Sequence, residues 1–374
     1  MEVESLALSH FRNYATLAQN LKGYRRIALV GPNAQGKSNF LEALYALAFA
    51  SSFRASQPVE MVQWQAQMTR IQASCRHQRG DEVLLSFEIR RDGKRRVQLN
   101  HSYQKRLQDY IGTLKLVLFS QQDLQLITGQ PARRRLFMDL MMIQVRPGYY
   151  ALLQGYHRVL RQRNTLLREL KSTQSGRLGS STQLEQLELW DIQLSESAAR
   201  IISHRKQVLN QLMQLVKQID IAISGLNEEL ECEYRCLPEA SAEAIQKALA
   251  QRHKRDIFLG QTSVGPHRDD LSFRLKQREL RHVGSQGQIR TAALALKVAE
   301  LLYARQTLGE YPVLLLDDVF SELDVRRQQM LVEQISQPEL QVFVTTTQLE
   351  GPVRRLFEDR GLMLHVHQGQ VVSA

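Results

Sequence analysis

The chain has 374 residues, 43% of them hydrophobic, enough to bury one large core and in keeping with two domains. Lys and Arg number 49 against 38 Asp and Glu, and the formal net charge of +11 favours an anionic partner, either nucleic acid or a membrane surface. Cys75, Cys232 and Cys236 form no CxxC pair, which argues against a disulfide framework or a zinc site, and the absence of a leader or of roughly 18 consecutive apolar residues points to a soluble, cytoplasmic protein.

In chain order, Val3, Leu6 and Leu8 read as a strand that runs into the turn Phe11-Arg12-Asn13-Tyr14. The apolar run Arg26–Val30 is a short strand ending at Gly31, and Phe40, Leu41, Leu44, Leu47 and Ala48 recur at the spacing of an amphipathic helix. From Ile71 to Leu99 short alternating runs predict strands, with Asp92-Gly93 as a hairpin turn. Leu114–Phe119 is a further buried strand. A helix follows from Pro131 to Val145 and is broken at Pro147-Gly148. Two long helical periodicities come next, Leu152 to Leu170 and Ile201 to Ile219, joined by a Ser-, Thr- and Gly-rich tip over Ser172–Thr182. The last third returns to mixed pattern: strands at Leu271–Leu275, Val313–Leu316 and Gln341–Val344, and a helix from about Gln288 to Leu308. Strand–helix alternation at both ends with helices between predicts an α/β fold, a head of residues 1–125 and 256–374 interrupted by a helical arm over 126–255.

Gly31-Pro32-Asn33-Ala34-Gln35-Gly36-Lys37-Ser38 fits the pattern G-x-x-x-x-G-K-[ST] between a strand and a helix, the context a phosphate loop requires. Gly31 and Gly36 let successive N–H groups curl around one anion, and the helix start adds partial positive charge. Lys37 is expected to bridge the β- and γ-phosphates of ATP, and the Ser38 hydroxyl to take one position on Mg²⁺. Such a loop needs a second acid. Val313-Leu314-Leu315-Leu316 followed by Asp317-Asp318 supplies it at the end of a central strand, Asp317 as a metal ligand and Asp318 as general base toward water. Lys37 and Asp317 are 280 residues apart (317 − 37), too far for one uninterrupted small sheet and suited to a split head.

Ser285-Gln286-Gly287-Gln288, opening a helix that carries Thr291, Leu294, Leu296, Lys297, Ala299 and Glu300, resembles the signature motif of ABC-type ATPases, and Val319–Asp324 resembles their D-loop. Phe11–Tyr14, the loop form Asn33–Lys37, the run Gly129–Asp139 with Arg133-Arg134-Arg135, Gly265-Pro266-His267-Arg268-Asp269-Asp270 and Asp317–Asp324 together resemble the RecF family of the ABC/SMC-type superfamily over nearly the whole chain. The resemblance implies an ABC-type head in which Ser285, Gly287 and Gln288 cap the ATP of a second subunit, giving an ATP-dependent homodimer. It further implies gapped or duplex DNA as partner, action with RecR (and RecO and RecA in the pathway), a place in recombinational repair and fork restart, and slow hydrolysis linked to leaving DNA. A structural DNA tether of the SMC type and the ATPase subunit of a transporter are the alternatives. The first carries far longer coiled coil, and the basic excess with the Asp317-Asp318 pair counts against the second.

Asp318 stands where ABC transporters usually carry Glu, and the strand after the D-loop-like run ends in Thr345-Thr346-Thr347, where many ABC ATPases carry a switch His; Thr345 or a neighbour reads either as a contact to the γ-phosphate or as plain strand termination. Gln121 or Gln122 is the candidate glutamine to coordinate Mg²⁺ or sense the nucleotide. His267 and Arg268 read either as part of a structural turn or as dimer or DNA contacts. Candidate phosphate contacts for DNA are Lys94-Arg95-Arg96, Arg133-Arg134-Arg135, Arg158, Arg161 and Arg163, and Arg252-His253-Lys254-Arg255, all without sequence preference.

Overall fold

The computed structural model describes residues 1–173, 181–224, 230–358 and 361–373. They divide into two compact units. The first holds residues 1–124, the end of the long helix from Leu215, and the chain from Ser285 onward; the second holds Gln125–Gln214 and the stretch up to Gly284.

In the first unit the chain runs β1 (Glu2–Phe11), β2 (Tyr14–Asn20), β3 (Arg26–Val30), α1 (Lys37–Phe49), β4 (Met68–Arg76), β5 (Glu82–Arg90), β6 (Arg95–Leu99), β7 (Ser102–Tyr103) and β8 (Leu116–Ser120). The second unit opens with α2 (Leu124–Thr128), α3 (Pro131–Val145), α4 (Tyr149–Thr173) and most of α5 (Ser181–Ser224). It continues with β9 (Leu230–Arg235), α6 (Ala242–Gln251), α7 (His253–Leu259), β10 (Asp270–Leu275), β11 (Arg278–Glu279) and α8 (Leu280–Val283). The chain then returns to the first unit with α9 (Gln286–Leu308), β12 (Val313–Asp317), α10 (Val325–Ile335), β13 (Val342–Thr346), α11 (Gly351–Arg355), β14 (Gly361–His367) and β15 (Gln370–Ser373). None of the helices described is long and apolar enough to cross a membrane.

Two six-stranded sheets build the first unit. One is antiparallel, in the order β2-β1-β4-β5-β6-β7; the other has the order β15-β14-β3-β13-β12-β8 and is parallel except at its β15 edge. The strands of the parallel sheet read as continuous apolar runs, Leu314–Leu316 and Val342–Val344, because both of their faces are covered. Helix α1 packs against strands of both sheets, and Phe40 through Phe49 are buried without a break. The amphipathic helix expected there is therefore buried all round, which is what a helix between two sheets requires.

The second unit is helical with a three-stranded sheet, β11-β10-β9. Its apolar core includes Leu166, Leu167 and Leu170 on α4, Leu187 on α5 and Ile257 on α7, with Trp190 partly buried against them. The expected tip over Ser172–Thr182 falls mostly outside the described residues. The domain boundary expected at 255/256 is displaced to 284/285. The reason is pairing: β10, which the strand–helix alternation assigned to the head, pairs in antiparallel register with β9, Phe273 opposite Cys232.

Candidate active site

The C-terminal edge of the parallel sheet gathers the chemistry. Register places Ser120 of β8, Asp317 of β12 and Thr345 of β13 in one row, and Thr346 beside Val30 just before the phosphate loop. Loops beyond the carboxyl ends of parallel strands are where ligands settle in such sheets. A cleft of about 270 Å³ opens here, lined by Asn33, Ala34, Gly36, Lys37, Ser38, Asn39, Arg54, Asp318 and Thr345.

The loop is held from outside. At Gly31 a Cβ would lie 2.4 Å from the Val366 carbonyl oxygen of β14, so close backbone approach demands glycine. Gly36 has φ 119°, and its Cβ would meet the Asn13 side chain. Lys37 Nζ donates to the carbonyls of Gly31 (2.6 Å) and Pro32 (2.8 Å). Burial lowers its pKa, against the opposing pull of Asp318 and Asp317. Asn13 Nδ2 donates to the Gln35 carbonyl at 2.8 Å, and Tyr14 Oη to the Gly36 carbonyl at 3.0 Å. On the β15 side, the Gly369 N–H reaches the same Gln35 carbonyl at 3.0 Å, and the Gln368 N–H the Gln35 side chain at 2.8 Å.

Across the cleft stand the acids. Ser38 Oγ donates to Asp317 Oδ1 at 2.7 Å, and Thr345 Oγ1 to the same oxygen at 3.0 Å. Burial raises the Asp317 pKa, while these two hydroxyls and Arg54 pull it back toward the ionised form. The Thr345 hydroxyl also accepts the Asp318 N–H at 2.8 Å, so one side chain fixes both acids. Asp318 has φ 54°, the left-handed region that a non-glycine residue rarely occupies. Gln121 Nε2 donates to Asp318 Oδ2 at 3.0 Å, which brings the candidate glutamine to the candidate base. The oxygen donors Ser38 and Asp317 suit a hard divalent cation such as Mg²⁺.

Ser285, Gly287 and Gln288 do not line this cleft. Ser285 is the exposed N-cap of α9. Its Oγ accepts the Gln288 N–H at 3.2 Å, and the Gln288 side chain accepts the Ser285 N–H at 2.9 Å, a reciprocal capping box. The helix start is tied to the 319–324 loop. Arg327 donates to the Gly287 carbonyl (3.1 Å) and Thr291 Oγ1 (3.0 Å) while paired with Asp324, and Arg290 meets Glu322 at 3.1 Å.

The family model for the RecF/RecN/SMC N-terminal domain matches residues 2–355. The DNA replication and repair protein RecF of Staphylococcus carnosus is 38% identical over the full length of both chains, and that of Heliobacterium modesticaldum 39% identical over 94% of each. The chain belongs to the RecF family. Among solved structures, the recombination mediator protein RecF described as RecF-ATP in the RecFOR pathway superposes with a TM-score of 0.88 at 30% identity, covering 100% of this chain and 97% of that one. An SMC head bound to the C-terminal winged-helix domain of ScpA superposes with a TM-score of 0.56 at 16% identity, a likeness of fold: the first unit is an ABC/SMC-type head.

Three contributors to the cleft had no role in the sequence reading. The Phe11–Tyr14 run was a resemblance without a function; it is the β1–β2 hairpin tip that buttresses the loop. Asn39 donates to Asn13 Oδ1 at 2.8 Å and accepts from Arg54 at 2.7 Å, so Asn13, Asn39 and Arg54 form a chain from the hairpin to the cleft wall. Nothing in sequence spacing signals these long-range contacts.

Two other RecF-family runs meet inside the second unit. Arg134 pairs with Asp270 through two bonds of 2.7 and 2.9 Å, and Arg135 donates to the Asp269 carbonyl at 2.9 Å. His267 Nε2 faces the Thr262 carbonyl at 3.1 Å and can only donate to it, so Nδ1 accepts from Tyr156 Oη at 2.5 Å. Burial pushes His267 down to about 4 and Asp269 up to about 6. Two candidate DNA contacts are corrected here. Arg134 is buried on Asp270, and Arg163 is fully buried on Asp191 (2.6 Å) and Asp256 (2.9 Å), so neither presents a charge to solvent.

Proposed function

We propose that the chain is an ATP-dependent DNA-binding protein of recombinational repair and replication-fork restart, a slow, DNA-stimulated ATPase that dimerises on gapped or duplex DNA and helps RecR-assisted loading of RecA, with RecO in the pathway. The observation that carries the reading is the hydrogen-bonded run from the Ser38 hydroxyl of the phosphate-loop motif through the Asp317 carboxylate and the Thr345 hydroxyl to the Asp318 N–H, all at one sheet edge. The relatives' names, DNA replication and repair protein RecF, and the ATP in the neighbour's description support it.

Gly31 through Ser38 would wrap the phosphates with their N–H groups, and Lys37 would exchange the carbonyls it now holds for the β- and γ-phosphates. Ser38 and Asp317 would hold Mg²⁺, which supplies charge neutralisation at the phosphates when bound. Asp318 would accept a proton from the attacking water, oriented by Gln121 and by the Thr345 bond to its backbone. Ser285, Gly287 and Gln288 would close the site of a second subunit, because a serine hydroxyl, a glycine N–H and a helix N-terminus form an anion site. Such an interface is isologous, the same patch on both subunits.

Specific ATPase activity measured against protein concentration, with and without duplex DNA, tests the reading. It should rise with concentration and rise further with DNA. A flat, DNA-indifferent activity would mean that each chain completes its own site.

A further inference from the structure

Trp64 is 82% exposed on the outer rim of the antiparallel sheet. A tryptophan carries more apolar area than any other side chain, and leaving it in water forgoes the burial that normally accompanies it. The turn that carries it is stiff. Gln63 N–H donates to the His10 carbonyl at 2.8 Å, Ala66 N–H closes the turn on the Gln63 carbonyl at 3.1 Å, and Arg91 N–H takes the Gln67 carbonyl at 2.9 Å. The Arg91 guanidinium then donates to the carbonyls of Ala66 and Gln63, both at 2.9 Å, and lies 5.8 Å from the indole ring. An exposed indole on a braced turn is ordered before anything binds it, so a partner finds the platform preformed.

The surroundings are basic. The segments 62–70 and 88–96 carry Arg70, Arg90, Arg91, Lys94, Arg95 and Arg96, all exposed, against only Glu88 and Asp92. Both acids are already engaged, Glu88 buried on Arg70 at 2.5 Å and Asp92 on Lys94 at 3.3 Å. Register sets Arg70 and Arg96 on either side of Glu88, on one face of the sheet. Farther along, the Arg96 guanidinium lies 5.9 Å from the half-exposed ring of Tyr103, a second arginine–aromatic pair on the same sheet.

We infer that Trp64 is a stacking platform for an unpaired base, and that the basic residues of the β4–β5–β6 rim take the phosphates flanking it. The inference rests on the DNA-binding part of the proposed function and adds the strand state and the contact residue. Guanidinium groups match phosphates, and an indole face matches the π-face of any base without sequence preference. A base inside an intact duplex offers no free face, so the site selects a single-stranded stretch such as the one exposed at a gap. A protein partner seated on Trp64 would have to bring acids to this basic surface, whereas a single strand brings a phosphate with every base.

The test uses the full chain with ATP and a labelled duplex, either intact or interrupted by a short gap, at fixed salt. Trp64→Ala should weaken binding to the gapped DNA about tenfold, the size of one lost base–aromatic stack, and leave the intact duplex within about twofold. Trp64→Phe should recover most of the loss. In a Trp190→Phe background Trp64 is the sole tryptophan, and its emission should be quenched on saturation with oligo-dT. Equal affinities of Trp64→Ala and wild type for gapped DNA, or unquenched emission at saturation, overturn the inference while leaving the ATPase reading intact. A change in Trp64 emission with RecR but not with oligo-dT overturns it in favour of a protein-docking face. Failure of the wild type to bind either DNA removes the DNA-binding reading itself.

Discussion

Single hydroxyls and amines decide the chemistry at the cleft. Thr345 is the residue to which two acids are fixed, through its bond to the Asp317 carboxylate and the bond it accepts from the Asp318 N–H. Thr345→Val keeps the volume and removes both bonds. A hydrogen bond to a charged group contributes about 1.5–3 kcal/mol, so hydrolysis should fall about 10- to 100-fold, while ATP affinity, governed by the loop, should change less than about threefold. Single-turnover hydrolysis beside a fluorescent-nucleotide titration separates the two. Lys37→Ala should act in the opposite place and abolish detectable nucleotide binding in the same titration. The sequence alone marks Lys37, Ser38, Asp317 and Asp318 as candidates, because their spacing is that of a phosphate loop and of an acid pair closing an apolar strand, and the structure brings them to one sheet edge. For Thr345 the sequence leaves open a γ-phosphate contact or plain strand termination. It is silent on Asn13, Asn39 and Arg54, whose effect on the loop depends on a hairpin meeting it from 22 residues away.

At the level of elements, the legible ones are those with a strong local period. The strand Arg26–Val30 and the helix Pro131–Val145 fall on the expected residues. Of the sheet β9–β10–β11 the sequence shows β10, expected as the strand Leu271–Leu275; β9, Leu-Glu-Cys-Glu-Tyr-Arg, alternates apolar and charged residues, but its pairing with β10 crosses two helices, which no local period reveals. That sheet and α3, α4 and α5 enclose a polar network with a distinctive acid response. His267, facing Tyr156, Thr262, Arg268, His157 and Arg135, is depressed from 6.5 to about 4. Its contribution to stability is present above pH 6.5 and lost as pH falls toward 4. Asp269, facing Tyr234, Arg205, Arg135 and Lys206, is raised from 3.8 to about 6. Its contribution is present below 3.8 and lost as pH rises through 6. At about 1.4 kcal/mol per unit, each amounts to roughly 3 kcal/mol and the two oppose over nearly the same window. Asp269→Asn should therefore unmask the histidine, and the variant's urea midpoint should drop between pH 7 and 4.5 far more than the wild type's. His267→Gln should do the reverse and gain stability over that interval. Parallel pH profiles for all three proteins would show that neither group titrates differently on folding.

For the whole molecule the question is what one head lacks. Both ends of the chain join in it: the amino group of Met1 donates to the Tyr311 carbonyl at 2.9 Å and lies 3.3 Å from Glu310. Yet the exposed start of α9, braced against the 319–324 loop by Arg327 and Arg290, lies outside the phosphate-loop cleft of its own chain. A second copy would supply that end to the first copy's nucleotide. Ser285→Asp separates this role from a structural one. Aspartate caps a helix as well as serine does, so the Gln288 N–H keeps its acceptor, and stability should stay within about 0.5 kcal/mol. The new carboxylate, though, would face the γ-phosphate of the opposite subunit, and like charges at that distance repel strongly in a site that excludes water. Sedimentation with a non-hydrolysable ATP analogue should then show wild-type dimers and variant monomers, and the variant monomers should still bind the nucleotide, less tightly than the wild type only by the part that dimerisation adds. Dimers from the variant would sink the shared-site reading, and lost nucleotide binding by the variant monomer would place Ser285 at its own chain's phosphates instead.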